Sequence, residues 1–298
     1  MTAGPQVSVC IPVYRGEKFL AETMRSVLNQ TYDDFELIVL DNASPDATSQ
    51  IAHSFHDSRV HVLGNPTTLE QPDNWRRAVE LCRAPMVKLL CADDLLHPRC
   101  LEVQVPVLEA DPGLAVVAAR RNMVDESSRL LVSGRGLKGL LGRRSGVQVA
   151  RKVMHSGANP IGEPGGVLFR RADYFAVGGW RPSRRFAMDL DLWLRLLQRG
   201  EFFGLSETLA AFRIGAESLS AENEAGIYAD QKAIMDEIAA SSRLQVGSFD
   251  RAVGRLGAPM GRLRRRLLFA LSARTSRHSP RVRRATPFEP APVSSCGS

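Results

Sequence analysis

No stretch of this 298-residue chain reaches 18 consecutive apolar residues, and candidates such as Leu114–Ala119 are only strand-sized. A membrane-spanning helix is therefore excluded. The five cysteines, at 10, 82, 91, 100 and 296, form no Cys-x-x-Cys pair. An odd count in a chain of this length points to free thiols in a reducing compartment, not to a disulfide framework. His53, His56 and His61 are loosely spaced and flanked by no further ligand type, so no zinc site is expected. Met1–Pro5 offers neither a basic nor an apolar leader segment before the strand-like run at Val7, so no secretory signal is expected and the cytoplasm is the expected compartment. Lysine is missing from residues 251–298, as is every acid but Glu289. The eleven arginines there give that segment +10 and leave residues 1–250 at −3 of the total +7. A basic groove carrying nucleic acid through the folded body is disfavoured, and no nucleic-acid partner is expected. A basic appendage that meets a membrane or another polyanion fits.

What is present is ordinary for a globular protein, 44% hydrophobic and 24% charged, with length for one large α/β domain or two small ones. The first hundred residues alternate two periods. Val7–Val13 is a β-branched run, and Glu17–Gln30 then places Leu20, Met24, Val27 and Leu28 at helical spacing. Phe35–Leu40 is a second strand, after which Ser44 and Pro45 suit the N-cap and first turn of a helix through Phe55. Residues 59–63 repeat the strand pattern, 74–82 the helix and 86–91 the strand. This alternation predicts a parallel sheet with helices on both faces, whose ligands bind beyond the carboxyl ends of the strands. Polar clusters sit at three such ends: Tyr14-Arg15, Asp41-Asn42 and Asp93-Asp94. Further on, residues 99–108 read as a helix, 115–119 as a strand and 124–133 as a small hairpin. Residues 134–146, with five glycines and four cations, read as a mobile loop, and 162–166 as another loop. A strand at 167–170, an apolar helix at 188–199, a strand over 201–214 and a helix over 222–240 complete the pattern.

Three acidic positions are candidates for chemistry. Asp93 and Asp94 follow an apolar strand as adjacent carboxylates, which repel each other unless a cation offsets them; Mg²⁺ or Mn²⁺ would serve, and so would a solvated turn before Pro98. Asp41 could bind a base or ribose edge, or close a turn with Asn42 and Ser44. Asp191 has Arg195 four residues on, and a surface ion pair accounts for it. Asp189 has no such cation, and is either a helix-start acid or a general base.

Taken together the motifs are more specific. The order Val7-Ser-Val-x-Ile-Pro-Val-Tyr14, Phe19-Leu-x-Glu-Thr-x-x-Ser-Val-Leu-x-Gln-Thr-Tyr32, Phe35-Glu-Leu-Ile-Val-Leu-Asp-Asn-Ala-Ser-x-Asp-x-Thr48, Asp93-Asp94, Gly178-Gly-Trp180 and Asp189-x-Asp-Leu-Trp-Leu-Arg195 closely resembles glycosyltransferase family 2. The resemblance runs from about residue 7 to 220. It implies the GT-A fold, a Rossmann-like, mostly parallel sheet flanked by helices, and transfer of a sugar from a nucleotide diphosphate sugar with inversion, in cell-surface glycan or glycolipid synthesis. It implies a domain over residues 1–240, with a nucleotide-sugar half to about 110 and an acceptor half beyond. A helical basic extension over 241–273 and a disordered tail over 274–298 would follow. By the same resemblance Pro12, Val13 and Tyr14 form the nucleotide loop, Asp41 meets the base, and Asn74 lies in the donor pocket. Asp93 and Asp94 hold a divalent metal, Mg or Mn, and the ribose-phosphate end of the donor. Asp189 is the catalytic base, residues 162–166 line the acceptor side, and Arg213 pairs with phosphate.

The chain departs from the family pattern at four points. Cys91 replaces the first acid of the metal motif, and Met188 the Glu that often precedes the base. Gly215 replaces a His, and Arg15 the frequent Asn after Tyr14. These departures motivate an alternative, a non-catalytic nucleotide-sugar-binding protein of the same fold. In the tail, Met260, Leu263, Leu267 and Leu271 lie at helical spacing among arginines, so residues 259–284 could rest on an anionic membrane. The expectation is a cytoplasmic enzyme, peripheral at the inner face of the membrane, with a glycan or lipid-linked acceptor.

Overall fold

A computed structural model describes residues 4–214, 224–244, 246–250, 252–254 and 287–288. The opening half follows the predicted alternation: β1 (Val7–Val13), α1 (Leu20–Leu28), β2 (Phe35–Asp41), α2 (Thr48–His53), β3 (Val60–Gly64), α3 (Gln71–Glu80) and β4 (Met86–Leu89). There follow the short β5 (Leu95–Leu96), α4 (Cys100–Ala110), β6 (Leu114–Val124), β7 (Leu130–Arg135), β8 (Gly142–Arg144) and α5 (Gly146–Ser156). The chain continues through β9 (Val167–Arg170), α6 (Arg171–Ala176), α7 (Met188–Leu196), β10 (Glu201–Arg213) and α8 (Glu224–Ala240).

The strands form one sheet in the order β3-β2-β1-β4-β9-β6-β10-β5, with β7 on β6 and β8 on β10. β3, β2, β1 and β4 are mutually parallel, as are β6 and β10. β9 is antiparallel to both β4 and β6, so it joins the two parallel sets. The carboxyl ends of β1, β2, β4, β6 and β10 therefore share one edge, and the start of β9 comes to that same edge. Every residue of β1 and β2 is buried, as helices on both faces require. Pro12 is tolerated in β1 because pairing to β4 ends at Cys10, so its missing N–H removes no bond on that side. Beyond Leu90, whose N–H still donates to Cys10 O, the chain leaves β1, and residues 91–94 turn across the edge.

One apolar cluster packs α1 and α4 against β1, β2 and β6. The other, on the opposite face, centres on Trp180, Trp193, Tyr174 and Phe169. Trp180 lies edge-on to Trp75 at 5.2 Å and to Trp193 at 5.9 Å between ring centroids.

Three local expectations are corrected. α2 begins at Thr48, not at Pro45, because Asp46 Oδ1 accepts the Thr48 N–H at 3.1 Å and Ser44 Oγ accepts the Arg15 N–H. Residues 134–146 form packed structure: Leu137 and Leu140 are fully buried, β8 pairs with β10, and Ser145 with Gln148 closes a capping box on α5. The glycines there serve the path of the backbone, since Gly136, Gly139 and Gly142 all have positive φ. Asp191–Arg195 is a buried pair, not a surface one. Arg195 donates to the Asp191 carboxylate and to the carbonyls of Val177 and Gly179, which fixes the loop before Trp180.

Of the expected tail, Pro287 and Phe288 are described. Asn122 Nδ2 donates to Pro287 O, and the Phe288 ring meets His97 at 5.1 Å. Gly215 and the remaining residues of 255–298 lie outside the described residues.

Candidate active site

At the ends of β1 and β2, Tyr14 projects into solvent, 46% exposed, with the Arg15 guanidinium 5.4 Å from its ring centre. Pro12 and Val13 point their side chains into the body, so what they offer the edge is backbone. Asp41 pairs in register with Val13, and its Oδ1 accepts the Ser44 N–H at 3.2 Å. Behind it Asn65 Nδ2 donates to both Asn42 Oδ1 and Asn74 Oδ1, which places Asn74 in a buried amide network. Gly16 N–H donates to Thr48 Oγ1 at 2.7 Å, tying the two loops together.

At the end of β4, one ligand atom each from Cys91, Asp93 and Asp94 lies within 4.8 Å of the others. Asp94 is buried and accepts the backbone N–H of Arg213 at 3.0 Å. Burial pushes its carboxyl well above the ordinary range, and the neighbouring Asp93 charge adds to this. Burial raises Asp93 as well. Two desolvated carboxylates side by side fit a hard divalent ion, which takes few protein oxygens and completes its shell with phosphate and water. Burial drives the Cys91 thiol well upward, so it stays protonated and adds no charge.

Arg213 departs from its expected role. Its side chain is 1% exposed, and the guanidinium is spent on the body: Nε to Asp93 O, Nη1 to Asp125 O, Glu126 O and Ser128 Oγ, Nη2 to Glu22. It braces the Asp93 loop and leaves no donor set out for a phosphate.

Asp189 opens the first turn of α7. Asn159 Nδ2 donates to its Oδ2 at 2.7 Å, and the Leu190 N–H donates to Oδ1 at 2.7 Å. Burial, with the Glu163 charge second, raises its pKa to about 6 despite those two bonds. Glu163 is held by the buried Arg121, whose Nη2 donates at 3.0 Å. The turn between Glu163 and β9 is pinned from below by two fully buried side chains. Lys88 Nζ donates to Gly165 O and Val167 O, and Gln104 Nε2 donates to Gly166 O.

These elements enclose a cleft of about 460 Å³ whose wall includes Trp75, Cys91, Arg121, Asn159, Glu163 and Asp189. The fold thus brings Asp189 and Cys91, at the start of the Asp93-Asp94 loop, to one cavity. Tyr14, Asp41 and Asn74 lie outside its wall, further along the sheet edge.

The family described as Glycosyl transferase family 2 matches residues 8–175. The chain belongs to glycosyltransferase family 2. Among relatives of this glycosyltransferase, EpsE of Bacillus subtilis, proposed by its name to be a glycosyltransferase, is 29% identical over 79% of this chain and 82% of its own length. Chondroitin synthase of Escherichia coli is 27% identical over 66% of this chain, but that stretch is 27% of the synthase. Among solved structures, S. aureus TarS 1-349 in complex with UDP-GlcNAc gives a TM-score of 0.64 at 16% identity, covering 89% of this chain and 73% of that one. The mannosyltransferase PcManGT from Pyrobaculum calidifontis, with GDP-Man and Mn²⁺, gives 0.56 at 16% identity, covering 91% and 85%. The likeness establishes the GT-A fold, and the glycosyltransferase is an enzyme of that fold.

Sequence reasoning singled out neither Asn159 nor the Arg121–Glu163 pair, both of which bear on Asp189, nor the Lys88–Gln104 brace. No spacing marks them, since Asn159 and Asp189 are thirty residues apart. A lysine inside the apolar strand Met86–Leu89 was the one visible signal, because a buried lysine must have acceptors.

Proposed function

We propose that this glycosyltransferase moves a sugar from a nucleoside diphosphate sugar to an acceptor hydroxyl with inversion, with Asp189 as general base. The observation that carries this is Asp189 itself, aimed by Asn159 and Leu190 in the wall of the same cleft as Cys91, with a pKa raised to about 6. Such a carboxylate is ionised at neutral pH and yet accepts a proton more readily than an exposed one. The acceptor oxygen bonds to the anomeric carbon from the face opposite the diphosphate, and its proton passes to Asp189. The bond from that carbon to the diphosphate oxygen breaks, and the electron pair leaves with the nucleoside diphosphate. A single displacement inverts the centre.

Asp93 and Asp94 would hold Mg²⁺ or Mn²⁺, and the ion, when bound, offsets the charge that builds on the leaving diphosphate. Tyr14 would lie by the base and Asp41 would accept a hydrogen bond from it, with the Val13 backbone beside them and Asn74 behind. The UDP-GlcNAc of TarS and the GDP-Man and Mn²⁺ of PcManGT support a nucleotide-sugar donor and a divalent ion. The relative named chondroitin synthase supports a glycan acceptor and a place in polysaccharide synthesis. Residues 259–284 lie outside the described residues, and their arginines and leucines support attachment to an anionic membrane at its cytoplasmic face.

Transfer from a panel of nucleotide sugars with Mn²⁺ tests the reading. Asp189→Asn should lower kcat by about 10²–10⁴-fold with donor binding retained, and Asp94→Ala should abolish the Mn²⁺ response. Wild-type turnover in either variant overturns the assigned role.

A further inference from the structure

Residues 1–250 carry a net charge of −3, yet the wall of the cleft does not share that sign. Arg121, Arg135, Lys138, Lys152 and Arg185 line it against the two acids Glu163 and Asp189. Arg121 is closed by Glu163 and Arg185 by Glu70 at 2.9 Å. Lys138 and Lys152 have no carboxylate within ion-pair reach among the described residues.

Both lysines are presented by ordered backbone. Lys138 stands between the fully buried anchors Leu137 and Leu140, and Lys152 projects from α5, which the Ser145–Gln148 box caps. They are also neighbours across the fold. Gly139, next to Lys138, has φ +77, and a Cβ there would lie 3.4 Å from Lys152 Nζ. Lys152 Nζ thus reaches the loop that carries Lys138, and both side chains line one cavity with no carboxylate paired to either among the described residues. Like charges on one wall repel, and an anion bound there offsets both.

The expected seat of the donor diphosphate, Asp93 and Asp94, meets the cleft through Cys91. The lysines share their wall with Asp189, where the acceptor hydroxyl must sit. We propose that the acceptor is anionic: a glycan or polyol chain carrying a phosphate or carboxylate close to the hydroxyl that is glycosylated, with Lys138 and Lys152 receiving that charge. This assignment rests on Asp189 marking the acceptor side, and it adds the chemical class of the acceptor.

Trp75 lines the cleft, so quenching of tryptophan fluorescence reports occupancy. The probes are an oligomer of glycerol phosphate, an oligogalacturonate and a neutral maltooligosaccharide of matched length, each with the wild-type chain and with Lys138→Ala/Lys152→Ala. At least one anionic oligomer should bind about tenfold or more tighter than the neutral one at low salt, with the preference shrinking as salt rises. Which of the two binds separates phosphate from carboxylate. The double variant should bind all three at the neutral level, with its melting temperature and its affinity for nucleotide sugar unchanged. Equal binding of charged and neutral oligomers overturns the proposal, as does a double variant that loses donor affinity by the same factor. A wild-type chain that prefers the anion but turns over no nucleotide sugar would instead count against the transfer reaction, so the two readings fail separately.

Discussion

Asp189 and Asp191 stand two positions apart in one helix and do different work. Asp191 is buried against the Arg195 guanidinium, and its charge is spent holding the loop that leads into Trp180. Asp189 has two hydrogen-bond donors but no cation of its own, so burial dominates and its pKa rises to about 6. As general base it must be ionised. The rate of transfer, kcat/KM, should therefore climb with pH through about 6 and level off above it. A profile still flat at pH 5 would exclude Asp189 as the base. The same shift has a sign for stability. A carboxyl whose pKa is raised in the folded state binds its proton more tightly there, so the stabilisation present below the unfolded pKa near 4 is lost as pH rises through about 6. Asp189→Asn should thus stabilise the free protein at pH 8, on the order of 1 kcal/mol, and not at pH 4, as read by thermal melting at the two pH values.

At the scale of elements, glycine content alone misreads residues 134–146. The glycines permit turns that bring Leu137 and Leu140 inward, and the resulting lobe carries Lys138 to the cleft. Close approach matters as well, since a Cβ at Gly204 on β10 would collide with Leu140 O. Truncating such an anchor leaves a cavity in a packed site, so Leu140→Ala should cost about 2–5 kcal/mol in equilibrium urea denaturation. A loss under half a kcal/mol would mean that the lobe does not pack. Antiparallel β9 has the comparable role on the other side: it returns its leading turn to the catalytic edge, where Lys88 and Gln104 hold three successive carbonyls.

For the whole molecule, the net charge of +7 conceals two unlike parts. The body is mildly acidic, with a locally basic cleft, while residues 251–298 hold +10. Such a segment near anionic lipid gains about 1 kcal/mol per basic residue close to the surface. In vesicle flotation the full chain should float with phosphatidylserine vesicles at low salt, and a chain ending at residue 258 should not. Equal flotation of both would place any membrane contact elsewhere.

The sequence by itself determined the alternation of strands and helices, the sheet edge that carries the polar clusters, and the family, and it singled out Asp41, Asp93, Asp94 and Asp189 as candidates. Each rests on local periodicity or on motifs read within short stretches of chain. Tertiary structure alone decided that the Arg213 guanidinium is spent on the body, that Asp191 is buried while Asp189 lines the cleft, and that Asn159 holds the Asp189 carboxylate. It alone also set Lys138 and Lys152 in the wall of one cleft. Those outcomes depend on which groups meet across a sheet whose strands are not in sequence order. Burial and partner, which set a charged group's energy, come from that meeting and not from neighbours in the chain.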